Sequence, residues 1–147
     1  MTPLIVLVVS AVAFWVAGHA GMVAFQDPSV VLRAALGIMF GLTASAHWGK
    51  RRPDLIRMVP PALPRPDLLV TITGVLEILG AIGLFVPRTG RAASMCLALL
   101  LLALFPANIH AARQNVTIAG RRVPSVPVRG SIQLVFIAML VAAAWLQ

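Results

Sequence analysis

The sequence predicts an all-α fold, a polytopic membrane helix bundle of five spans, and three observations lead there. Of 147 residues, 60% are hydrophobic and 11% charged, and the mean hydropathy is +0.96, more apolar than a soluble domain of this length can bury. Five apolar segments are each long enough to cross about 30 Å of hydrocarbon. The net charge of +8 comes from basic residues lying just outside those segments rather than interleaved with aromatics on a polar face, which argues against nucleic acid as a partner.

The first segment, 3–25, lacks the basic n-region, the short apolar run and the small-residue cleavage site of a signal peptide, so it reads as a retained span. The second, 30–48, contains GIMFGLTAS, in which Gly37, Gly41 and Ser45 recur every four residues. Such a small-residue stripe permits close helix approach, and packing within the chain is expected ahead of a homodimer seam. An arm follows from 49 to 67. Its stretch 53–66 mixes Leu55, Ile56, Met58, Val59 and Leu63 with Arg57 and Arg65, an amphipathic or re-entrant pattern with its arginines at the headgroups. The third segment, 68–86, carries Glu77 within TITGVLEILGAIGLF, and the turn PRTGR leads to the fourth, 92–112, which holds Cys96 and FPANIH. An irregular arm, 113–130, precedes the fifth segment, 131–146. All five belong to one membrane domain.

Lysine and arginine set the orientation. The two long arms and their flanks carry Lys50, Arg51, Arg52, Arg57, Arg65, Arg113, Arg121, Arg122 and Arg129, against Arg33, Arg88 and Arg91 on the other face. The positive-inside rule places the arms and the N-terminus in the cytoplasm and the C-terminus outside. The single cysteine, Cys96, excludes a disulfide framework and a C-x-x-C redox pair, and it reads as a small buried hydrophobe.

Few polar residues remain within the spans. His47 ends the second span, Asn108 and His110 end the fourth and Gln133 begins the fifth, all toward the cytoplasmic side. His19 stands apart, near the outer end of the first. Glu77 lies about 13 Å above the inner end of its span at helical rise, close to mid-bilayer. Pro106 withdraws a donor from the carbonyl of Leu102, and the kink opens a polar niche beside Asn108 and His110. The candidate ligand-binding set is therefore His47, Glu77, Asn108, His110 and Gln133.

Glu77 reads in two ways: as a hydrogen-bonding tie to Thr73 or to a histidine, or as a proton-transfer group, and either requires that it face the bundle interior with a partner. A histidine at a helix end commonly reaches for the headgroups. His47 and His110 lie at similar depth, yet nothing specifies a porphyrin pocket, and a metal site would need a third ligand at their level, so no metal is expected. The chain has no nucleotide-phosphate loop, nucleophile elbow or dithiol, so chemistry here would be proton transfer or would belong to a bound cofactor.

The run from Gly41 to Arg113, with GLTASAH, MVPPALPRP, GVLEILGAIGLFVPRTGRAA and LFPANIHAA, resembles the DoxX-like family of small bacterial integral membrane proteins. RGSIQ at 129–133 resembles the entry to that family's last helix. The resemblance implies a four-helix core in the bacterial plasma membrane, to which the first span is an N-terminal addition. It also implies a link to redox physiology, since relatives include a subunit of a thiosulfate:quinone oxidoreductase, and it sets His47, Glu77, Asn108 and Gln133 on the family's polar positions. Three functions follow as expectations: a redox accessory subunit binding a quinone or another lipophilic small molecule; a non-catalytic assembly or chaperone subunit of a membrane complex or homo-oligomer; and a stand-alone isomerase-like enzyme on a lipophilic substrate, with Glu77 transferring the proton.

Overall fold

The computed structural model describes residues 2–114 and 116–146, with backbone alone at 121 and 122. Five helices are long and apolar enough to cross a membrane: α1 (Thr2–His19), α2 (Pro28–Ser45), α4 (Pro66–Phe85), α5 (Gly90–Arg113) and α6 (Val126–Trp145). A short helix, α3 (Arg52–Met58), lies between α2 and α4. In the link before α6, the two-residue strands β1 (Thr117–Ile118) and β2 (Arg121–Arg122) pair antiparallel.

Proline and aspartate account for the helix starts. Asp27 caps α2 by accepting from the Ser29 N–H at 2.8 Å, and Pro28 follows it in the first turn. Prolines also stand in the first turns of α3, α4 and α6, where the missing N–H costs nothing and φ is already set for a helix. Pro127 is the reason that α6 begins at Val126 rather than at 131, and it draws Arg129 and Gly130 out of the expected arm and into the helix. The first span ends early instead: α1 stops at His19, and Gly21, at a φ of +103°, turns the chain. The 3-10 turn Val23–Phe25 then folds back on α1, where the Phe14 and Phe25 rings stack at 4.6 Å. Gly18 makes room for this, since a Cβ there would lie 2.2 Å from the Phe25 carbonyl oxygen. Of the arm 53–66, the part within α3 is helical, 59–65 is not, and Pro66 opens α4.

Helix α2 packs on α4, α4 on α5, α5 on α6, and α6 returns to α2, so these four close a bundle, while α1 lies against α2. The core runs through Leu36, Met39, Phe40, Ala81, Leu84, Leu97, Phe136 and Leu140, with Leu7 reaching in from α1. Lipid tails are as apolar as these side chains, so the bundle is held by close packing and hydrogen bonds rather than by escape from water. Cys96 is exposed, not buried. Helical periodicity explains it: α5 buries Ala93, Ser94, Leu97 and Ala98, which turns Met95 and Cys96 outward.

The two long arms meet. Met58 of α3 is buried, α3 packs on α4, α5 and β1, and Asp54 Oδ2 accepts from the Ala119 N–H of the hairpin at 2.9 Å while pairing with Arg57.

Candidate functional site

The polar residues of the bundle gather into two networks. The first joins α2 to α4. Thr43 Oγ1 lies 3.0 Å from Glu77 Oε2 and 3.0 Å from the Phe40 carbonyl oxygen, and Glu77 is buried. One hydroxyl hydrogen serves one acceptor. Both contacts are therefore complete when the carboxyl keeps its proton and donates to Thr43, which in turn donates to Phe40. No ion pair with Glu77 occurs among the described residues, so a protonated carboxyl also avoids an uncompensated charge in hydrocarbon. Glu77 thus faces the bundle interior with a partner on another helix, while Thr73 bonds back to the carbonyls of Leu69 and Val70.

Just beyond α2, His47 is buried, its Nδ1 3.2 Å from the Ala44 carbonyl oxygen. It sits against Gly74, where a Cβ would come within 2.7 Å of the imidazole. Arg52 clamps this end of the seam by donating to the carbonyls of His47 and Asp67 at 2.8 and 3.1 Å and to Thr71 Oγ1 at 2.9 Å.

The second network joins α5 to α6. Asn108 Nδ2 donates to Gln133 Oε1 at 2.7 Å, Gln133 Nε2 donates to the Leu101 carbonyl at 2.7 Å, and Arg129 donates to Asn108 Oδ1. The carbonyl reached from outside is Leu101's rather than Leu102's. Gln133 of the neighbouring helix thus bonds to the turn of α5 before Pro106, at a carbonyl next to the one that the proline deprives of its donor.

Of the five sequence candidates, Asn108 and Gln133 share a bond, and Glu77 and His47 lie on the α2–α4 seam. His110 is half-buried near the end of α5. No hydrogen bond joins the two networks among the described residues. His19 bonds to the Trp15 carbonyl at the far end of α1, away from both. Sequence reasoning missed Thr43, Arg52 and Arg129. Arg129 was recoverable from its spacing of four before Gln133, which sets both on one helix face once α6 extends that far. Arg52 was not, because two of its three partners are backbone carbonyls.

Outside the seam, a groove of about 500 Å³ runs between α2 and α4, lined by Gly37, Gly41 and Ser45 and by Ile78, Ala81, Ile82 and Phe85. The small-residue stripe divides here. Gly37 packs within the chain, since a Cβ would meet the Phe85 ring at 2.5 Å, whereas nothing lies within 4 Å of one on Gly41. No group of three or more His, Cys, Asp or Glu side chains is placed to hold a metal ion among the described residues.

No curated protein and no solved structure matches the chain. A family model described as a domain of unknown function, DUF8561, matches residues 36–147, from within α2 through α6, and leaves α1 outside. By that match the chain belongs to the DUF8561 family.

Proposed function

We propose that the protein is a multi-pass, DoxX-like subunit of the bacterial plasma membrane that serves a redox complex by binding a quinone or another lipophilic ring, its long arms cytoplasmic and its C-terminus outside. The observation that carries this reading is the groove between α2 and α4. It is apolar, opens on the side of the seam away from the bundle interior, and is left unfilled by Gly41. Ser45 is the polar side chain in its lining, and behind the same seam, within the packing of α2 on α4, stand Glu77 and Thr43, with the buried His47 at its end. The link to redox complexes rests on the resemblance of GLTASAH, GVLEILGAIGLF and LFPANIHAA.

The test is a thermal-shift series in detergent with short-chain ubiquinone and menaquinone analogues. Ligand should raise the melting temperature of the wild type. Gly41→Leu should abolish that rise while leaving the apo protein within a few degrees of wild type, because its side chain enters open space. Absence of any shift in the wild type with either analogue sinks the quinone reading.

A second reading, a non-catalytic assembly subunit, is favoured by the mutual pairing of Asn108, Gln133 and the Leu101 carbonyl. It expects no quinone shift and a lower apo melting temperature for each polar truncation.

A further inference from the structure

From Gly90 to Gln147 the chain has no aspartate or glutamate, yet it carries Arg91, Arg113, Arg121, Arg122 and Arg129. Among the described residues, the carboxylate that reaches this half from outside is that of Asp54, and it is engaged by the Ala119 N–H and by Arg57. Arg91 stands at the far end of the hairpin of helices, its guanidinium 4.6 Å from the Trp145 ring.

Arg129 is different. It is set into the first turn of α6, partly buried, and its polar contact is the neutral amide oxygen of Asn108. Its Nε–H is shielded from solvent and has no partner among the described residues. Asn108 cannot supply a charge, and one of its two amide hydrogens is taken by Gln133. A guanidinium stays protonated in any protein setting, and a cation held near hydrocarbon without a counter-ion is costly. The start of a helix adds positive potential at the same place. The group that complements such a cation is a negatively charged oxygen ligand, which a guanidinium binds through paired N–H donors.

We propose that Arg129 is the centre of an oxyanion site at the hairpin end of α5 and α6, taking a phosphate group as its counter-ion, from either an anionic phospholipid or free phosphate. The site is independent of the groove between α2 and α4.

Melting curves in non-ionic detergent at constant ionic strength test it, with dioleoyl phosphatidylglycerol, dioleoyl phosphatidylcholine and inorganic phosphate titrated separately. A lipid site gives a rise of about 3 °C with phosphatidylglycerol over phosphatidylcholine, and a free-phosphate site gives a saturable rise with inorganic phosphate. In either case Arg129→Gln removes the rise, and Arg113→Gln, a change at an exposed arginine, keeps most of it. Without anion, Arg129→Gln melts no lower than wild type, because the unpaired charge is gone; a merely structural arginine would instead leave the variant less stable. A rise that survives Arg129→Gln overturns the proposal, as does the absence of any phosphate-dependent rise. Should Arg129→Gln fail to fold, native mass spectrometry of the wild type decides. Retention of phosphatidylglycerol or phosphate in preference to phosphatidylcholine supports the site, and no preference overturns it.

Discussion

Glu77 and Gln133 are both buried polar side chains inside an apolar bundle, but they differ in what their removal orphans. Replacing Glu77 by Gln keeps a donor for Thr43, so the variant should melt within a few degrees of wild type. Glu77→Leu removes one bond but leaves Thr43 its Phe40 carbonyl, which sets the expected loss at about 1 kcal/mol. Gln133→Leu strips a partner from both Asn108 and the Leu101 carbonyl, and should cost about 2 kcal/mol. Thermal denaturation of the three variants in one detergent checks the order. A Gln133→Leu protein as stable as Glu77→Leu would show that the α5–α6 network contributes less than its geometry implies.

At the scale of elements, the contact to watch is between α3 and the β1–β2 hairpin. The Ala119 N–H, and after it the Arg57 guanidinium, hold the Asp54 carboxyl below its ordinary value. The folded arms therefore favour the carboxylate. Their contact is complete above the ordinary carboxylate pKa and is lost as the pH falls through the depressed one. Hydrogen exchange at Ala119 should accelerate as the pH drops through that range, after correction for the intrinsic rate, and Asp54→Ala should accelerate it several-fold at neutral pH. Exchange unchanged in Asp54→Ala would mean that the hairpin is held by its own turn alone. Because Arg52 ties α3's first turn to the ends of both α2 and α4, loosening the hairpin should leave the seam intact.

For the whole molecule, five helices are long and apolar enough to cross a membrane, and an arrangement in which each crosses puts the link before α6 and the C-terminal end on opposite faces. Single cysteines at Ser125 and Leu146, introduced with Cys96 replaced by Ala because that thiol is exposed, should label with a membrane-impermeant reagent from opposite sides. With the arms inside, the position in the link should be the protected one in intact cells. Labelling of both positions from one side would remove the five-span arrangement.

Composition and the lengths of apolar runs sufficed for the membrane class, the helical fold and the number of long helices, because a bilayer admits little else: every backbone group in hydrocarbon must find its partner within a helix or a closed barrel. The need for a partner at Glu77 was legible for the same reason. Which partner was not. Thr43 is separated from Glu77 by 34 residues, and only the packing of α2 on α4 brings them together. The division of the candidate residues into an α2–α4 seam and an α5–α6 network likewise depends on which helices are neighbours, since hydropathy reports depth along a span and says nothing of the direction in which a side chain faces.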